Sequence, residues 1–165
     1  SEGSGMHRRG HVGAALCCYA PVGAALHRGG DPGLAVLGAA VAVALSTVPD
    51  TDEYLPIDHR GPTHTVWFVG GATILSAAIG GGAGIAVGRP IAVAATVGAA
   101  AALSLTSHLL ADSITPMGIR PLYPVSMWYH SFDVTPAADP RANTTMLGAG
   151  ILFTLVCQGI ALAVP

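Results

Sequence analysis

The chain predicts an all-α fold, a polytopic helical membrane bundle of about five membrane segments with a metal site at its cytoplasmic side. Three observations lead there. Hydrophobic residues make up 52% of the 165 positions and charged residues only 10%, displacements from the soluble average in opposite directions. Apolar runs recur along the chain, and histidines and aspartates collect at those ends of the runs that share one membrane face. A soluble surface needs more charge than this, and Lys is absent altogether. The formal charge of -2, with seven Arg scattered singly, leaves no nucleic-acid signal. Membrane lipids are the expected partners.

Ser1–Gly5, ahead of Met6, read as an artificial leader outside the fold. Residues 6–165 read as a single membrane-embedded domain. The first apolar run, about 11–26, follows a basic start that imitates a signal peptide, but its histidines and the runs downstream favour a retained membrane helix. The second covers about 33–49, the third 64–88, the fourth 91–111 and the fifth 145–164. A hydrocarbon core of about 30 Å needs about 20 helical residues, so the last three qualify by length. The first two must tilt, thin the bilayer or extend through flanking residues.

Gly and Ala recur in "GAAVAVALS", "GGGAGIAVG" and "GAAAALSL", and small side chains let helices approach closely in lipid. "AIGGGAGIAVGRP" lacks the G-x-x-x-x-G-K-S/T of a phosphate loop. Gly80–Gly84 therefore mark a flexible break or close packing in a hairpin that turns near Arg89 and Pro90. Cys17, Cys18 and Cys157 sit inside apolar runs and read as small buried hydrophobes, with neither a disulfide framework nor zinc-site spacing.

Alternating helices place Arg8, Arg9, Arg60, Arg120 and Arg141 on one side and Arg28 and Arg89 on the other. Positive residues in short loops favour the cytoplasm, so the N terminus and the richer side are expected there, in the cell membrane. The same alternation brings His11, Asp50, Asp52, His59, His64, His108 and Asp112 to that face.

His108 and Asp112, at i and i+4 in "TSHLLADS", share one helical face. Ionisable residues at membrane depth are costly without partners and default to a functional reading; a self-satisfied Asp-His cap is the plainer alternative. In "VPDTD", Pro49 makes Asp50 and Asp52 unlikely to continue a helix. "HRGPTH" places His59 and His64 about a Gly-Pro turn, with Pro62 suited to a first helical turn so that His64 enters the next helix. Carboxylate and imidazole donors together suit a divalent metal: zinc is favoured, with manganese or iron as alternatives, and one to three ions. The expected metal ligands are His11, Asp50, His64, His108 and Asp112, with His7 a weaker member. Either Asp50 or Asp112 can bridge. Asp52 is expected to orient a ligand imidazole, His59 to ligate or transfer a proton, and Arg60 to clamp a phosphate oxygen or anchor the membrane face. The expected chemistry is hydrolysis by metal-activated water.

The segment "SITPMGIRPLYPVSMWYHSFDVTP" breaks helix with its Pro and Gly. Trp128, Tyr129 and Tyr123 resemble interface anchors, Thr115 and Gly118 help form its turn, and the segment is expected to shape access to the site. His130 and Asp133 either reach back or stay on a wet loop. Glu53 and Asp58 read as exposed charge.

"RRGH" ending at His11, "VPDTD", "HRGPTHT" and "SHLLADSITPMGIRPLYP" resemble the YdjM-type family of predicted membrane-bound metal-dependent hydrolases over nearly the whole chain. Thr65 stands where the family usually has Ser, and Glu53 where its first acidic motif ends in His. The resemblance implies a multi-span membrane protein with hydrolase activity. The order Asp50, His64, His108-x-x-x-Asp112 is also similar to part of the zinc site of bacterial phospholipase C and related helical phosphoesterases. That likeness implies phosphoester hydrolysis, and a membrane-facing site favours a phospholipid or isoprenoid phosphate. The alternatives are an ion or metal transporter, which needs polar steps towards the other face, and a non-catalytic structural membrane protein.

Overall fold

Five helices, Arg8–Arg28 (α1), Pro32–Leu45 (α2), Val66–Ile85 (α3), Pro90–Ser113 (α4) and Pro140–Ala163 (α5), make up the computed structural model. It describes residues 8–136 and 138–163. The leader and His7 lie outside the described residues. Pro begins α2, α4 and α5, where its missing N–H costs nothing and its fixed φ suits the helix. The fifth helix starts several residues before its apolar run because Asp139 Oδ1 accepts the Arg141 backbone N–H at 2.8 Å. That cap lets the polar "RANTT" stretch form the first turns.

The short second run reaches membrane length by changing helix type. The 14 residues of α2 span about 21 Å at about 1.5 Å per residue, short of a bilayer core. A turn then leads into a 3₁₀ helix, Pro49–Tyr54. Four segments are long and apolar enough to cross a membrane: Pro32–Tyr54, Val66–Ile85, Pro90–Ser113 and Pro140–Ala163. The 21-residue α1 equals them in length but is less apolar, with Arg8, Arg9, His11, His27 and Arg28 along it.

At the centre, α1, α2 and α4 pack on one another, while α3 lies against α4 and α5 against α1. The central contacts are made by small residues around a few large ones. Tyr19 packs with Ala42 and Ala100 and donates its hydroxyl to the Ala35 carbonyl at 3.2 Å. Nearer the opposite end, Leu34, Val93 and Val97 form a second cluster. The α1–α5 crossing depends on missing side chains: a Cβ at Gly13 would collide with the Met146 backbone, and one at Gly150 with Gly13 itself. Gly80 and Gly84 likewise let α3 close on Val97 and Pro90. Of the two readings for these glycines, close packing within a continuous helix is the one realised.

Outward residues of α3 and α5, including Ile74, Leu75, Ile79, Leu152, Leu155 and Ile160, are exposed, as helices facing lipid require. The three cysteines are half-buried and free. At the end of the bundle remote from the N terminus, Arg89 forks onto Asp31 at 2.6 and 3.0 Å, tying the α1–α2 and α3–α4 turns together. The guanidinium holds the Asp31 carboxyl below its ordinary range.

Candidate metal centre

The polar end is assembled from four pieces of chain. His11 stands one turn into α1, Asp50 and Asp52 lie on the 3₁₀ helix that extends α2, and His108 and Asp112 occupy the last two turns of α4. The fourth piece is "HRGPTH". Its Pro62–His64 portion is a separate 3₁₀ turn, so His64 lies just ahead of α3 instead of inside its first turn. Thr65 causes the difference: it caps α3 by accepting the Phe68 N–H at 3.2 Å and donates its hydroxyl to the Pro62 carbonyl at 2.9 Å.

Four donors, from His11, Asp50, His108 and Asp112, lie within 4.8 Å of one another and could hold a metal ion. His64 joins them. Its Nε2 is 3.1 Å from Asp112 Oδ2, 3.5 Å from Asp50 Oδ1 and 3.1 Å from His108 Nε2. His108 Nε2 is 3.3 Å from both carboxylates, and His11 Nε2 is 3.6 Å from Asp50 and 3.7 Å from Asp112. A tetrahedral ion with bonds of about 2.0–2.1 Å spaces its ligand atoms about 3.3–3.4 Å apart. The observed separations bracket that spacing. Structure thus brings together all five residues of the expected ligand set.

The tautomers point the same way. His108 Nδ1 sits 2.7 Å from the Ser46 carbonyl, which can only accept, so Nδ1 carries the proton and Nε2 a lone pair. Thr63 donates its hydroxyl to Asp52 Oδ2 at 2.8 Å and stands 3.0 Å from His64 Nδ1. Its oxygen is left to accept from that nitrogen, so His64 Nε2 is also a lone pair. Two lone pairs 3.1 Å apart repel unless a proton or a metal ion lies between them. Both ring nitrogens of His11 are buried without a hydrogen-bond partner, a costly arrangement in a buried interior. Asp50, Asp52 and Asp112 against Arg60 leave two negative charges uncompensated, the charge of one divalent ion. The donor set fits such an ion.

A proton is the alternative to a metal ion at His64. Burial lowers the affinity of the His64 imidazole for it, but hydrogen bonds to Asp112 and Asp50 outweigh burial and raise its pKa above the ordinary value.

Beside the donors, Asp52 is fully buried and works as a hub. It accepts from His59 Nδ1 at 2.9 Å, from the Arg60 backbone N–H at 2.9 Å and from Thr63. Arg60 adopts a positive φ of 57°, a conformation that strains a residue with a Cβ. The strain lets its backbone face Asp52 while its side chain turns to α4. There Nη2 donates to Asp112 Oδ1 at 2.8 Å and Nη1 to the Thr115 hydroxyl and Gly118 carbonyl at 3.0 and 2.9 Å. Gly118 also has positive φ, and a Cβ there would collide with the His130 carbonyl.

Ser46, Thr63, Thr115 and Gly118 were not among the expected site residues. Thr63, a hydroxyl between two candidate histidines, could have been noticed; Ser46 and Gly118 act through backbone carbonyls, which no side-chain pattern displays. His130 and Asp133 stay in the loop, where His130 stacks on Trp128 at 5.4 Å and pairs with Ile119. Glu53 Oε1 lies 3.7 Å from His59 Nε2, outside hydrogen-bond reach.

No curated protein and no solved structure matches the chain. Over residues 6–164 it matches the family described as YdjM inner membrane protein, and it belongs to that family as a multi-pass membrane protein.

Proposed function

We propose that the protein is a membrane-bound metal-dependent hydrolase acting on phosphoesters, with a phospholipid or isoprenoid phosphate as substrate. The observation that carries this reading is the cluster of four donor residues, His11, Asp50, His108 and Asp112, with His64 Nε2 beside three of them and both ring nitrogens of His11 buried without a partner. His11, Asp50, His64, His108 and Asp112 would hold one divalent ion, zinc favoured by the mixed imidazole and carboxylate set, with manganese or iron as alternatives. Such an ion supplies Lewis-acid chemistry, acidifying water and neutralising charge that develops on a phosphoryl oxygen.

The remaining steps belong to the chain. Asp50 is the one donor residue with substantial side-chain exposure, 22%, so substrate approaches from its side. Asp52 fixes the proton on His59 Nδ1 and leaves Nε2 to exchange a proton with substrate or water, a transfer that contributes about 10²–10⁴-fold in rate. Arg60 holds Asp112 in place, and its buried, unpartnered Nε remains for a phosphoryl oxygen. By the Arg distribution, the N terminus and the centre are assigned to the cytoplasmic side of the cell membrane. A carrier would need a continuous polar path across the bundle, whereas Ala42, Ala100, Leu34, Val93 and Val97 fill most of the interior below the centre, and the buried hydroxyls of Tyr19 and Ser104 are bonded to backbone carbonyls.

The test is phosphate release from phosphatidic acid, a phospholipid and an isoprenoid phosphate by detergent-solubilised protein loaded with zinc or manganese. Wild type should turn over at least one of them, and His59→Gln should be slower by about 10²-fold or more. Equal rates in wild type and Asp50→Asn would overturn the reading, as would no turnover of any lipid phosphoester by the metal-loaded wild type.

A further inference from the structure

Arg60 belongs to two places at once. Its guanidinium fixes Asp112 in the donor cluster, and its side chain also lines a cavity of about 170 Å³ under the loop that follows α4. The polar wall of that cavity is His59, Arg60 and Arg120; Met117, Ile119 and Tyr129 supply the apolar wall. No carboxylate lines it. Arg60 Nε and His59 Nε2 are buried without a hydrogen-bond partner. Arg120 is exposed and its side chain has no hydrogen bond or ion pair among the described residues. Two guanidiniums with unused donors, beside the His59 imidazole and with no carboxylate lining the cavity, make a site for an anion.

Size narrows the anion. The cavity has room for several water-sized groups. A phosphate or diphosphate fits. The rim shows the source. Met117 and Tyr129, which line the cavity, and Met127 and Trp128, next to Tyr129 in the chain, are all more than 40% exposed, and amphipathic aromatic rings settle at the headgroup level of a bilayer. The mouth therefore opens where lipid phosphates lie.

We propose that this cavity is a headgroup subsite that receives a compact anionic phosphoryl group of a membrane lipid, with Arg120 as the residue that selects it. The identity of that lipid as a substrate rests on the hydrolase reading; the binding itself does not. Phosphatidic acid and lipid diphosphates are admitted, while phosphatidylcholine is refused because its trimethylammonium would meet two guanidiniums and no carboxylate.

The experiment uses full-length protein in detergent with metal removed by EDTA, so that binding is read without turnover. Pyrophosphate is titrated as the soluble probe, and phosphatidic acid or phosphatidylcholine is supplied in mixed micelles, with Trp128 fluorescence and calorimetry as readouts. Pyrophosphate and phosphatidic acid should bind, and phosphatidylcholine should not. Arg120→Gln should weaken both by about tenfold, the effect of one charge-assisted hydrogen bond, and Arg120→Lys should restore part of the loss. Binding of pyrophosphate without phosphatidic acid would overturn the lipid source. Wild-type affinity in Arg120→Gln, or equal affinity for phosphatidylcholine, would overturn the subsite. If binding follows the prediction while no lipid phosphate is ever hydrolysed, the subsite stands and the hydrolase reading falls.

Discussion

Asp52 shows how much one buried side chain organises at the residue scale. It touches His59, Thr63 and the Arg60 backbone, and through Thr63 sets the tautomer of His64. Asp52→Asn keeps the shape but replaces one accepting oxygen by a donor, so metal affinity should fall by about 10–100-fold, the usual loss for a group supporting a ligand. Competitive titration against a zinc chelator measures this. Arg60 makes a different prediction. Its pair with Asp112 is buried on both sides, and removing one partner of such a pair costs about 3–5 kcal/mol. Arg60→Ala should therefore unfold earlier in urea, and bound metal should recover part of the loss by compensating Asp112. The raised pKa of His64 gives a pH dependence with a definite sign. In the metal-free protein its protonated form contributes stability in full below the unfolded value of about 6.5, and that contribution is lost as pH rises through the higher folded value. A divalent ion bound there would occupy the same lone pair, so thermal unfolding of the metal-loaded protein should lack this fall.

At the scale of elements, the α1–α5 crossing is the point where packing and the centre depend on each other. Gly13 is two residues beyond His11 and lies against the Met146 backbone. Gly13→Leu should force the helices apart at a cost of about 1–3 kcal/mol or more, lower the unfolding temperature and release any bound metal with it, because α1 carries His11 of the candidate donor set. Gly148→Ala, which meets open space, should do neither. The helices themselves were legible from runs of apolar residues, with boundaries displaced where caps decide them, as at Asp139 for α5 and Thr65 for α3. The 3₁₀ extension of α2 was visible only as a break at Pro49. What could not be read was the positive φ of Arg60, since nothing in "HRG" distinguishes an Arg that faces solvent from one that doubles back towards α4.

Over the whole molecule, a mainly apolar interior carries a buried cluster of ionisable side chains at one end, and the five expected ligands meet there although they come from four separate pieces of chain. Their convergence was foreseeable because alternating membrane helices leave only two faces on which polar residues can collect. Spacing within one helix signalled His108 and Asp112; the remaining partners followed from that two-face constraint. The supporting groups Ser46, Thr115 and Gly118 were hidden because they depend on where the loops close.

Metal content tests the central claim most directly. Detergent-purified wild type, with no metal added, is analysed for bound elements beside His108→Ala and Asp112→Asn, with circular dichroism confirming that each is helical. One divalent ion per chain in the wild type, lost in both variants, is the predicted result. Well-folded wild type that takes up no zinc, manganese or iron even when each is supplied would contradict the account.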